Sequence, residues 1–162
     1  MSCSVVASDA RSELELEASP VDVDRWAALA KAAATSEGGV GELTLTFIDR
    51  AEMAELNLEH MGQVGPTDVL SFPMDDEPMD GVPTMLGDIV ISPAIAVAQF
   101  AEHAGTLDDE LGLLVVHGVL HVLGHDHAEP GEAALMRERE VAVLTEYHWC
   151  GPPPAEFRQT HD

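Results

Sequence analysis

The chain has 162 residues, 30 of them acidic and 7 basic, for a formal net charge of −23 with 46% hydrophobic residues. That length and apolar content suit one compact domain with its own core, and no run of about 18 apolar residues is present that would cross a bilayer. So acidic a surface repels other polyanions and excludes the non-specific nucleic-acid binding that rests on Lys and Arg neutralising phosphates. Residues 1–10 lack the basic start and apolar stretch of a signal peptide. The two cysteines, Cys3 and Cys150, form no C-x-x-C pair. The expectation is a cytoplasmic protein with two reduced thiols.

In chain order, the first element is ambiguous, with residues 3–7 or residues 13–17 readable as a short strand. Ser19, Pro20 and Asp22 read as a capping box with proline at the first helical position. The helix they open runs to about Thr35 and stops at Gly38 and Gly39. Residues 42–48 alternate, with Leu43, Leu45 and Phe47 on one face, as a strand does. Asp49 and Glu52 form a second capping box, opening a helix towards His60. Residues 67–72 and 87–91 read as further strands, separated by the acidic, Pro-rich loop 73–83. Ser92 and Pro93 open a helix that ends at Gly105. Thr106 and Asp109 open the next, which continues to Leu123 and meets its stop at Gly124. A last helix spans about 130–147. The Pro-rich turn 151–154 closes the folded part, so residues 1–154 read as one domain and 155–162 as a loose C-terminal tail. This order lacks a clean βαβ rhythm and predicts a single α+β domain, with a small mixed β-sheet around a buried central helix.

That central helix carries the chemistry. Leu111, Leu113, Leu114, Val115, Val116, Val119, Leu120, Val122 and Leu123 leave it no polar face, and a helix apolar all round is buried. The ionisable side chains between Leu111 and Leu123 are His117 and His121. Buried polar groups are costly without partners. Four residues apart, the two imidazoles share one helical face, about 6 Å from each other. Gly124 breaks the helix, and His127 follows three residues later. The pattern H-x-x-x-H-x-x-G-x-x-H supplies three neutral nitrogen donors. Three protein ligands leave one position of a tetrahedral zinc open for water, the arrangement of catalytic rather than structural sites. A lone histidine in such a helix would read as a core residue bonded to backbone; three at this spacing read as a metal site. His125 competes with His127 as third ligand, and the Gly-x-x-His spacing favours His127. His60, His103, His148 and His161 are isolated and read as surface or packing residues. The spacing is similar to the metzincin peptidase motif H-E-x-x-H-x-x-G-x-x-H, whose Glu is the general base. Gly118 stands in its place.

The segment His117-Gly118-Val119-Leu120-His121-Val122-Leu123-Gly124-His125-Asp126-His127 resembles the signature of the YbeY-type endoribonucleases, bacterial rRNA maturation factors. Pro66-Thr67-Asp68-Val69-Leu70-Ser71-Phe72-Pro73 and Leu86-Gly87-Asp88-Ile89-Val90-Ile91 resemble two further motifs of that family, in the same order. The resemblance implies a cytoplasmic zinc protein with a mixed α+β fold. Its activity would be single-strand-specific endonuclease cleavage in rRNA maturation, chiefly of small-subunit rRNA, and in ribosome quality control. It implies one zinc ion per chain held by His117, His121 and His127. It also implies ribosomal RNA or ribosomal particles as partners, with a ribosomal protein as a further candidate and with neither membrane nor DNA. The catalytic group beyond the activated water is open, with Asp126 as a candidate. Asp68 and Asp88 read either as carboxylates orienting a ligating histidine or as turn caps, and Ser71 as a turn residue. Met61 stands where the family often carries Arg, with His60 and Arg50 as the nearest substitutes for the charge. Two other readings are a metallopeptidase-like hydrolase and a non-enzymatic ribosome-associated zinc protein.

Overall fold

A computed structural model describes residues 3–74, 84–125 and 129–159. In chain order it contains β1 (Cys3–Asp9), α1 (Glu13–Ala18), α2 (Val23–Ser36), β2 (Gly41–Phe47), α3 (Arg50–Met61), β3 (Val69–Pro73) and β4 (Met85–Ile91). There follow α4 (Pro93–Gln99) with a 3-10 turn (Phe100–Glu102), α5 (Leu107–Val122), and α6 (Pro130–Leu144) with one π-helical turn (Thr145–Trp149). The expected single α+β domain with a mixed sheet is what forms. The strand order is β1-β2-β4-β3, with β1, β2 and β4 parallel and β3 antiparallel to β4.

The ambiguity at the start resolves by pairing. Residues 3–9 lie along β2 over their whole length, from Cys3 opposite Gly41 to Asp9 opposite Phe47. The alternation at 13–17 belongs instead to a short helix, whose first turn is capped by the Ser12 side chain accepting from the Glu15 N–H. Two of the expected capping boxes differ in detail. Asp22 caps α2 by accepting from the Arg25 N–H at 3.2 Å, while Ser19 ends α1. Asp49 precedes α3 without capping it, because its Oδ1 accepts from the Ser12 backbone N–H at 2.9 Å and so ties the two helix starts together. Thr106 caps α5 as expected, accepting from the Asp109 N–H at 3.1 Å.

One sheet face is the main core. Leu43, Leu45 and Phe47 of β2 and Ile89 and Ile91 of β4 are fully buried in the same cluster as α2 and α5. Every residue of α5 from Leu111 to Leu120 is buried, and the helix packs on β3, β4, α2 and α6. Each large apolar side chain so buried contributes about 1.5–3 kcal/mol of transfer free energy, which offsets the desolvation of the two imidazoles carried with them. On the other face, α3 lays Met53 and Leu56 over Leu70, Phe72 and Val90. α6 turns Met136, Glu140, Val143 and Leu144 inward.

The segment that composition marks as a tail is held at several points over residues 155–159. The Phe157 ring meets the Trp149 ring edge-on at 4.7 Å. The Gln159 amide donates to the Arg137 carbonyl at 2.9 Å and to Glu140 Oε1 at 3.0 Å. Among the described residues no helix is long and apolar enough to cross a membrane.

Candidate metal centre

His117 and His121 sit one turn apart near the end of α5, with ring centroids 4.6 Å apart and planes inclined at 76°. Such a pair can offer two nitrogens to one ion. His117 is only 8% exposed, and its Nδ1 lies 2.7 Å from Glu140 Oε2. A carboxylate has only acceptors, so Nδ1 donates, and in the neutral ring the lone pair is then on Nε2. This is the second-sphere arrangement that fixes the tautomer of metal-binding histidines. Two imidazole nitrogens are donors of the kind zinc takes.

The sequence did not point to Glu140. The signal available was an acid within the inward stripe Met136, Glu140, Val143 and Leu144, where a 3% exposed carboxylate needs a partner. Asp68 and Asp88, the two carboxylates weighed for that role, are engaged elsewhere. Asp68 accepts from the Val69 N–H at 2.7 Å and from the Gln99 amide at 2.8 Å, and Gln99 also reaches the buried Glu110. Asp88 pairs with the Thr44 hydroxyl on the neighbouring strand.

The end of α5 shows why Gly124 is where it is. Its φ of +102° turns the chain into the left-handed region. The Gly124 N–H bonds back to the His121 carbonyl and the His125 N–H to the Leu120 carbonyl, at 3.0 and 2.9 Å. Together these bonds form a Schellman cap, so the backbone of His125 closes the helix. Asp126 and His127, the candidate catalytic group and the third expected ligand, lie outside the described residues. Among the described residues no group of three potential ligand side chains gathers.

Gly118 has a steric reason. A Cβ built there would lie 2.7 Å from Ile89 Cγ2 and 3.3 Å from Ser71 Oγ, while the Ser71 hydroxyl meets the Gly118 carbonyl at 3.4 Å. Helix α5 rides directly on β3 and β4 at this point, and a glutamate general base does not fit.

A cleft of about 600 Å³ lies on the opposite face of the sheet, lined by Thr44, Glu52, His60, Phe72, Asp88 and Val90 among others. His60 packs edge-on against Phe72 at 5.0 Å, and Met61 ends α3 at 57% exposure. His148 and the Trp149 indole both reach Asp109 Oδ1 at 2.8 Å, and His103 faces the buried Glu110 at 3.5 Å. His103 and His148, read from sequence as isolated, thus each face a carboxylate, and His161 lies outside the described residues. Of the six arginines, Arg11, Arg25 and Arg139 are committed to ion pairs with Asp9, Asp108 and Glu37.

A family model described as Endoribonuclease YbeY matches residues 7–148, which include both histidines, Glu140 and all of β2, β3 and β4. The chain belongs to the YbeY family. The endoribonuclease YbeY of Salinispora tropica is 46% identical over 140 residues, covering 78% of this chain and 86% of that one. That of Mycolicibacterium gilvum is 48% identical over 114 residues, covering 65% and 64%, and that of Mycobacterium tuberculosis 46% over 114 residues, covering 65% and 64%. The match thus spans less than two thirds of the length of the mycolicibacterial relative. The solution structure of TM1509 from Thermotoga maritima superposes with a TM-score of 0.54 at 23% identity, covering 99% of both chains. That likeness shows a shared fold.

Proposed function

We propose that this chain is a zinc-dependent, single-strand-specific endoribonuclease of the cytoplasm. It acts in rRNA maturation, chiefly of small-subunit rRNA, and in ribosome quality control. The observation that carries the reading is the pair of imidazoles at 4.6 Å with Glu140 on His117 Nδ1, in a chain whose curated relatives are named endoribonucleases.

In this reading His117, His121 and His127 hold one zinc ion per chain. Bound there, zinc supplies Lewis-acid activation of water near neutral pH. Glu140 keeps the His117 proton on Nδ1 and so presents Nε2 to the ion. The apolar body of α5 excludes water from behind the two rings, and Ile89 and Ser71 press on Gly118 and hold the helix at a fixed height above the sheet. Asp126, next to His127 in sequence, is the candidate to accept a proton. The same contact that excludes a side chain at Gly118 argues against a metallopeptidase, whose general base would stand there. With half of the arginines in ion pairs, a ribosomal particle or ribosomal protein is the proposed source of additional affinity for rRNA.

The test incubates the protein with single-stranded RNA, duplex RNA and casein, each with and without a chelator and with zinc restored. Cleavage of single-stranded RNA alone, lost on chelation and recovered with zinc, is the expected result. Casein cleavage, or RNA cleavage indifferent to the chelator, would overturn the assignment.

A further inference from the structure

We propose that Gln159 is a positioning residue for the metal centre, acting through Glu140 on His117. The inference rests on the zinc reading above. Glu140 is nine-tenths or more buried, so both its oxygens need donors. His117 Nδ1 serves Oε2 at 2.7 Å and the Gln159 amide serves Oε1 at 3.0 Å. The same amide nitrogen also donates to the Arg137 carbonyl at 2.9 Å. Its two hydrogens are therefore spread across two points three residues apart on α6, which fixes the amide against the helix. Two residues earlier, Phe157 is packed on Trp149 and against the main core. The C-terminal segment thus enters the centre as the outer link of a chain from Gln159 to Glu140 to His117.

This arrangement has a thermodynamic consequence. A carboxylate held from both sides keeps one orientation, and so does the imidazole bonded to it. Loss of Gln159 leaves Oε1 to solvent or unpaired and loosens the orientation of His117. If the segment strengthens zinc binding, zinc must strengthen docking of the segment by the same factor, because such coupling is reciprocal.

The experiment measures zinc affinity by competition with a chromophoric chelator for the full chain, Gln159→Ala, Glu140→Gln and the double variant. Melting of the metal-free proteins and the His117 tautomer, read from imidazole nitrogen shifts without metal, accompany it. Glu140→Gln should weaken zinc by about 10- to 100-fold, the usual cost of losing such a partner. Gln159→Ala should weaken it less, with a modest fall in the metal-free melting temperature from the lost donor to Oε1 and a larger share of the Nε2–H tautomer. The double variant should bind zinc no more weakly than Glu140→Gln alone, since Gln159 acts only through that carboxylate. Full zinc affinity in Gln159→Ala, or additive losses in the double variant, would overturn the proposal. If Glu140→Gln fails to fold, the affinity and tautomer of Gln159→Ala decide. A full chain that takes up no zinc would refute the proposed function, while the tautomer in the metal-free protein would still report whether Gln159 orients His117.

Discussion

Gly118→Ala isolates the contact between the histidine helix and the sheet. At an unobstructed helix position this change would stabilise by about 1 kcal/mol, because Ala is the better helix former. Here the added Cβ meets Ile89 Cγ2 at 2.7 Å, far inside the roughly 3.5–4.0 Å of a favourable carbon contact. Ile89 is fully buried in the middle of β4 and cannot swing away. Overpacking of this kind costs about 1–3 kcal/mol, so once the propensity gain of about 1 kcal/mol is set against it the expected net effect is a loss of up to about 2 kcal/mol. For a chain of this size each kcal/mol shifts Tm by roughly 2–4 °C. Urea and thermal melts of the metal-free protein measure it. Ile89→Leu removes the β-branched methyl, so Gly118→Ala should cost less in that background. A rise in Tm on Gly118→Ala alone would show that α5 does not sit on β4 as described, and the steric case against a glutamate base would fall with it.

Elemental analysis of protein purified without added metal should find one zinc per chain. His121→Ala should lose it and destabilise the fold, since a ligand and packing volume go together, whereas His125→Ala should keep it. Naked single-stranded RNA should bind weakly, with affinity falling as salt rises and falling again on zinc removal, because few arginines are free to meet phosphates. A titration at two salt concentrations with loaded and stripped protein checks this, and tight, salt-resistant binding without zinc would contradict it. Burial raises the Cys3 thiol above its ordinary pKa, against a smaller opposing pull from Lys31, while Cys150 is exposed. Alkylation at neutral pH followed by mass spectrometry should therefore label Cys150 first and Cys3 only on unfolding.

Periodicity and punctuation in the sequence determined much of this protein. The alternation of Leu43, Leu45 and Phe47, the all-apolar run of α5 and the stop at Gly124 are local signals, and each corresponds to an element in the structure. The spacing of His117 and His121 is equally local, because four residues of α-helix place two side chains on one face whatever surrounds them. The tertiary structure decided what local pattern cannot carry. Ser12 outcompetes the first turn of α3 for Asp49 only because two distant helix starts meet. Asp88 faces Thr44 rather than a histidine because β4 lies beside β2 with Asp88 on the side away from the core. Glu140 reaches His117 across 23 residues of sequence, and Gln159 reaches Glu140 across a further 19. Such pairings depend on how helices and chain ends pack on a shared core, and the identity of the carboxylate behind a histidine is settled there, by burial and distance, rather than by spacing along the chain.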